Sequence, residues 1–293
     1  MRYLLSVGFI ICMTITADSN LNIQRPPFPV YLNHFFLVVD GETYADIEKN
    51  EFLRKQFAPN ETRTTRRTDI SYTGLYFYGR NTYFEFFDAS KETKRKTSET
   101  GIAFGVEQTG ASKILQKQLG SENPFKVTRL YNDKQVDWFY MLTGKTSSFT
   151  SGSSFWVMEY LPSFLREWNP QADNSAGIER RQILQRYTAV LKEVPKDPVF
   201  QDVLAITVAL DENLKKSLID SCKLFGYEAK TNGNLTTMIG ADITLTIIPE
   251  TQSRKGIQSF TFKYKTRPKR DEYRFGNHSV LRFGDNHRAV WSF

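Results

Sequence analysis

The sequence predicts an α+β protein built from paired βαβββ units, with its second half a degenerate copy of the first. Three observations predict it. A strand that begins on a histidine, HFFLVVD (34–40), is followed by a second apolar strand carrying one glutamate, YFEFFD (83–88). The pair returns about 70 residues later as GIAFGVE (101–107) and WVMEYL (156–161). A third start, VLAITVALD (203–211), has the same shape and again leads into a helical pattern.

The elements follow in order. Residues 32–40 (LNHFFLVVD) are nearly all apolar, as a strand covered on both faces should be. Residues 41–58 carry apolar side chains at helical spacing, so one helix is expected up to Pro59. ETRTTRRTD (61–69) is polar and β-branched, an exposed strand or a long loop. SYTGLYFYG (71–79) and NTYFEFFDA (81–89) read as a hairpin turning at Arg80 and Asn81. The second unit repeats this: strand 100–107, helix 109–120 ended by Gly120, strands 125–132 and 136–144, a loop, and strand 155–162. Residues 163–198 break the pattern with a helix at 178–194. A third unit follows, with strand 203–211, helix 212–228 and a hairpin at 234–250. A fourth start, GIQSFTFKYK (256–265), leads into no helix, and SVLRFGDNHRAVWSF (279–293) reads as a closing hairpin. The expected organisation is a folded domain at 31–162, a helical linker at 163–198, and a second, incomplete domain at 199–293.

Residues 1–17 stand apart. YLLSVGFIICMTI (3–15) is uncharged and apolar, too short to span a bilayer, and is followed by Ala17 and polar residues. It reads as a secretory signal peptide, so the chain is expected to be exported, periplasmic or secreted, and not transmembrane. Ile11 before Cys12 makes a lipid anchor the weaker reading. Removal of the segment leaves Cys222, which falls in an apolar helical pattern and reads as a buried, inert thiol. The formal charge of +7 comes in short runs, such as Arg63, Arg66 and Arg67. The runs are not gathered on one helix and no binding motif accompanies them, so nucleic acid is not an expected partner. A small-molecule ligand is, and the poorly furnished second half suits scaffolding or a homodimer contact.

In element order and strand character the sequence resembles the vicinal oxygen chelate superfamily, which includes glyoxalase-like proteins, extradiol dioxygenases and bleomycin-resistance proteins. Within it, the chain looks most like exported glyoxalase-like proteins of unassigned function. The resemblance implies that the paired units curl into open barrels around a cleft. It also implies that four strand positions can hold a divalent metal. Carried onto this chain they are His34, Glu85, Gly101 and Glu159, of which three can coordinate. Imidazole and carboxylates suit Zn, Ni, Mn, Co or Fe, and an open three-ligand site leaves room for water or substrate. Gly101 removes the second histidine of an extradiol iron site; Glu99 is a candidate substitute from the same face.

Two readings stay open. In one, the chain is an enzyme of lyase or isomerase type. His34, Glu85 and Glu159 then hold the metal, Glu85 or Glu159 moves a proton, and Tyr83, Trp138 and Trp156 line the cleft. In the other, no metal is bound, His34 is a histidine bonded to a carboxylate, and the protein binds or sequesters a small molecule. Ala205 and Thr246 fall at the places of His34 and Glu85 in the second half, so no metal is expected there.

Overall fold

The structure is a computed structural model that describes residues 25–91, 96–120, 124–144, 152–168 and 179–293. The expected signal peptide lies outside the described residues, as do 145–151 of the loop before the last strand of the first half and 169–178 of the linker. No helix among the described residues is long and apolar enough to cross a membrane.

The chain forms two eight-stranded sheets. The first half runs β1 (Val30–Val39), α1 (Gly41–Lys49), β2 (Asn60–Arg66), β3 (Ser71–Tyr78), β4 (Tyr83–Asp88), then β5 (Thr100–Val106), α2 (Ala111–Leu119), β6 (Phe125–Tyr131), β7 (Lys134–Leu142) and β8 (Ser153–Tyr160). Its strand order is β2-β3-β4-β1-β5-β8-β7-β6. Helices α3 (Pro162–Trp168) and α4 (Arg180–Ala189) lead to β9 (Phe200–Leu210), α5 (Glu212–Leu224), β10 (Glu228–Asn232), β11 (Leu235–Ile239), β12 (Thr244–Pro249), β13 (Gly256–Tyr264), β14 (Glu272–Phe275), β15 (Ser279–Phe283) and β16 (Arg288–Ser292). The second sheet repeats the order of the first, β10-β11-β12-β9-β13-β16-β15-β14. The α+β class of paired βαβββ units is therefore the fold of this chain.

Three expectations need correction. The second half is complete in strands: β14 was hidden in the polar stretch RDEYRF, and what the last unit lacks is a helix. The helix expected over 41–58 breaks at Asn50, whose side chain accepts the Leu53 amide at 3.1 Å and starts a separate π-helical turn at Leu53–Phe57. The linker helix is shorter than 178–194, ending at Ala189.

The first strand of each half ends in an aspartate that starts the next helix. Asp40 accepts the Thr43 amide at 2.9 Å, and Asp211 accepts those of Asn213 and Leu214, both at 2.9 Å. On β1 the alternation is clear. Phe35 and Leu37 face a core shared by the two halves, while His34 and Phe36 face the other way. That shared core is largely aromatic: Phe35 and Phe84 each lie 4.9 Å from Phe260, and Phe86 lies 5.2 Å from Trp291. Burying rings of this size stabilises by roughly 1.5–3 kcal/mol each.

Polar contacts fix the halves to one another. Buried Arg180 on α4 donates to Glu107 at 3.0 Å, to Asp242 at 2.7 Å and to the Leu32 carbonyl at 2.7 Å. The Arg80–Asn81 turn of the β3–β4 hairpin is held by Asp202 of β9, which accepts the amides of Asn81 and Thr82 at 2.7 and 3.0 Å. The first sheet also curls on itself. Arg67 and Arg129 form a β-bridge just past β2 and on β6, and the Thr68 and Thr128 hydroxyls lie 3.3 Å apart. The outer strands thus meet, and the inward face encloses a cleft.

Candidate functional site: an aromatic cleft

The cleft has a volume of about 440 Å³ and is lined from all eight strands of the first sheet, chiefly β1, β3, β4, β7 and β8. At its floor, His34 and Tyr83 stand opposite one another on β1 and β4, and so do Phe36 and Glu85. The His34 ring stacks on Tyr83 at 4.5 Å. Its Nδ1 lies 2.8 Å from the Asn33 side-chain oxygen. Nδ1–H donating to that oxygen leaves Nε2 with its lone pair facing the cleft, 3.7 Å from Glu85 Oε1. Burial pushes the imidazole down to about 3, so it is neutral at neutral pH.

Glu85 is set among rings. Tyr83 and Phe87 flank it along β4, with Tyr76 opposite on β3 and Phe36 opposite on β1. Burial, and then the Glu85 charge, push the Tyr76 phenol well above its ordinary range, so it stays protonated. Contacts between rings run on around the cleft wall. Tyr72 meets Phe87 at 5.6 Å, Phe87 meets Phe36 at 5.4 Å, Phe36 meets Trp156 at 6.2 Å, and Trp156 meets His34 at 5.5 Å.

The rings explain Gly101. A Cβ on Gly101 would collide with Phe36 Cε1 and lie 2.7 Å from Trp156 Cζ3. Where the resemblance expects a ligand on β5, two aromatic rings already fill the space. The residue of β5 opposite His34 is Ala103, which has no donor to offer.

The expected triad is not brought together. His34 and Glu85 meet, but Glu159 does not join them. Along β8, Trp156 and Met158 line the cleft, while Phe155 and Val157 belong to the shared core. Glu159 alternates with the latter pair. Its carboxylate accepts the amides of Gly110 at 2.6 Å and Ser112 at 2.8 Å, at the start of α2. The reason is the period of two along a strand: the cleft-facing neighbour of this position is Trp156 or Met158. Among the described residues no group of three His, Cys, Asp or Glu is placed to hold a metal. Of the three expected ligands only His34 and Glu85 meet, so the residues described here do not fit the three-ligand metal site that the resemblance implies.

Tyr83, Trp138 and Trp156 all line the cleft, and Glu99 sits at its rim. The indole N–H groups of Trp138 and Trp156 are buried without an acceptor among the described residues. Sequence reasoning missed Phe36, Tyr72, Tyr76 and Phe87. Among the described residues Arg63 and Arg67 also reach the lining; each meets a carboxylate, and Arg63 Nε is buried without an acceptor among them. Arg63 donates to Glu61 at 2.7 Å and lies over the rings of Tyr76 and Tyr187 at 4.2 and 4.9 Å. Arg67 makes two bonds to Asp69, at 2.8 and 2.6 Å. The corresponding face of the second sheet is bare: Ala205, Thr207, Thr244 and Thr246 hold the places of His34, Phe36, Tyr83 and Glu85. Cys222 is buried on α5, and burial pushes its thiol up.

Among solved structures, the chain is similar to a hypothetical protein from Staphylococcus aureus, at 13% identity and a TM-score of 0.47, over 76% of this chain and 87% of that one. An extradiol ring-cleaving dioxygenase from B. fuscum is 10% identical with a TM-score of 0.41, over 92% of this chain and 73% of that one. A mutant of 4-hydroxymandelate synthase from Streptomyces coelicolor is 12% identical with a TM-score of 0.39, over 78% and 64%. No curated protein matches the sequence. One family model, DUF5829, described as a family of unknown function, matches residues 32–293, which takes in both sheets. The chain belongs to the DUF5829 family.

Proposed function

We propose that this chain is a glyoxalase-like binding protein whose first-half cleft takes a small, planar organic molecule without a metal. The observation that carries the reading is the packing of Phe36 and Trp156 over Gly101, which gives an aromatic wall in place of a ligand set. Three further features support it. Glu159 is committed to α2. The cleft volume of about 440 Å³ suits a small ligand. The indole N–H groups of Trp138 and Trp156 lack acceptors among the described residues, which a ligand oxygen or nitrogen would supply. The apolar run at 3–15 supports export, so the ligand would be met outside the cytoplasm.

A second reading, proton-transfer chemistry of lyase or isomerase type, is favoured by one observation. A neutral His34 presents Nε2 beside the Glu85 carboxylate, the pairing of a base with a second acid–base group.

Ligand-observed NMR with a panel of small aromatic alcohols, acids and amines tests the binding reading. Ser154, half-buried on the cleft wall, is the place to block it. Hits are expected with the wild type and should vanish in Ser154→Trp at an unchanged melting temperature. Hits that persist in Ser154→Trp, or a panel without hits, would overturn it. Turnover of a bound compound, lost in His34→Phe while binding remains, would favour the enzyme reading.

A further inference from the structure

The geometry points to the chemical class of that ligand: we propose that the cleft recognises an uncharged aromatic carbonyl compound, with acceptor oxygens at more than one edge of a planar ring. The inference rests on the binding reading above and deepens it.

Three buried donors of the lining have no acceptor among the described residues: the indole N–H groups of Trp138 and Trp156, and Nε–H of Arg63. None of the three can itself accept, so a lone pair brought from elsewhere has to satisfy them. Arg63 is otherwise well bonded. Its Nη1 donates to Glu61 at 2.7 Å and to the Tyr78 hydroxyl at 3.1 Å, and Nε is left over. The second sheet gives the contrast. Trp291 is wholly buried there and donates to the Ser279 hydroxyl at 2.8 Å, an acceptor supplied by the chain itself. Buried polar groups are nearly always paired, so unpaired donors gathered in one cleft mark the place of a ligand's acceptors.

Their placement describes the ligand. The donors come from β2, β7 and β8. The Trp138 carbonyl accepts the Leu161 amide at 3.1 Å, which sets Trp138 level with Leu161 and well along the strand from Trp156. The offset is roughly 16 Å of strand, which calls for acceptors at two edges of a ligand rather than at one atom. A carbonyl oxygen suits such a place: it brings two lone pairs and no proton in need of its own acceptor. Conjugation keeps it in the plane of an aromatic ring, as the wall of Phe36 and Trp156 requires. No charge is asked of the ligand, because Arg63 and Arg67 each meet a carboxylate.

Three compounds test this on one ring: 1,4-diacetylbenzene, acetophenone, and α-methylstyrene, the hydrocarbon of acetophenone's shape. Proton–nitrogen spectra of the indole N–H groups of the full chain give the readout, each signal assigned through a Trp→Phe variant. Affinity is expected to rise about fivefold from α-methylstyrene to acetophenone, and again to 1,4-diacetylbenzene. The Trp138 and Trp156 signals should lie further downfield with 1,4-diacetylbenzene than with α-methylstyrene, and the Trp291 signal should stay in place. Trp138→Phe should bring 1,4-diacetylbenzene and acetophenone to within about twofold of each other. Trp156→Phe serves if that variant fails to fold. α-Methylstyrene binding as tightly as the ketones, or cleft indole signals that do not distinguish them, would overturn the carbonyl inference and leave the cleft as a binding site. Absence of binding by all three would count against both.

Discussion

Glu159 on β8 accepts the backbone N–H of Ser112 at 2.8 Å, in the first turn of α2. Gly110, in a left-handed conformation before that helix, gives its amide to the same carboxylate at 2.6 Å. The helix thus takes its N-terminal anion from a distant strand, where the exposed amides and the helix dipole favour negative charge. Hydrogen bonds to charged groups contribute roughly 1.5–3 kcal/mol each. Glu159→Ala should therefore lose about 3 kcal/mol in urea unfolding and speed hydrogen exchange at the Ser112 amide. Stability within about 0.5 kcal/mol of wild type would show that the cap does not hold α2.

Gly101→Ala tests the aromatic packing. The added methyl meets Phe36 and Trp156 at distances that real contacts do not reach, so both rings must shift. Overpacking of this kind costs about 1–3 kcal/mol. A lowered melting temperature with a changed tryptophan emission is expected. An unperturbed protein would mean the rings are placed otherwise.

Acid sensitivity follows from His34. Its imidazole stands at about 3 in the folded chain against 6.5 as the ordinary value. Between those values the unfolded chain binds the proton that the folded chain refuses, so stability rises with pH across this window and is lost on acidification. At pH 5 the loss relative to neutral pH from this group is about 2 kcal/mol, at about 1.4 kcal/mol per unit. His34→Phe, which keeps a ring against Tyr83, should flatten the pH 5–7 slope of unfolding free energy by that amount. Equal slopes would place the charged imidazole in the fold.

Arg180 clamps the halves through Glu107, Asp242 and the Leu32 carbonyl. Arg180→Leu leaves the Asp242 carboxylate deprived of its cation beside that carbonyl, and removing one partner of such a buried pair costs about 3–5 kcal/mol. The expected result in denaturant is that loss, with Asp242→Asn restoring part of it in the double variant. A change below about 1 kcal/mol would show that the aromatic core alone holds the halves.

Much of the fold was legible because β1, β4, β5 and β8 are apolar runs bounded by turn residues, and because Asp40 and Asp211 announce the helices after β1 and β9. The same apolar runs hid the site. A strand buried on both faces shows no alternation of character, so nothing in WVMEYL tells which face Glu159 takes. Its role at α2 depends on a partner 47 residues away. Gly101 was visible as a gap, but the rings that require it come from β1 and β8. Tyr72 and Tyr76 read simply as strand formers until the curl of the sheet brought β3 to the cleft. The strand β14 was missed because it is short and its outward residues, Glu272 and Arg274, carry charge, while Tyr273 and Phe275 pack inward.

The central claim is that aromatic rings, and not a ligand triad, define this cleft. Elemental analysis of the purified protein, wild type beside His34→Ala, tests it most directly. The account predicts equal, substoichiometric metal in both. One equivalent of a divalent metal in the wild type, lost in His34→Ala, would contradict it.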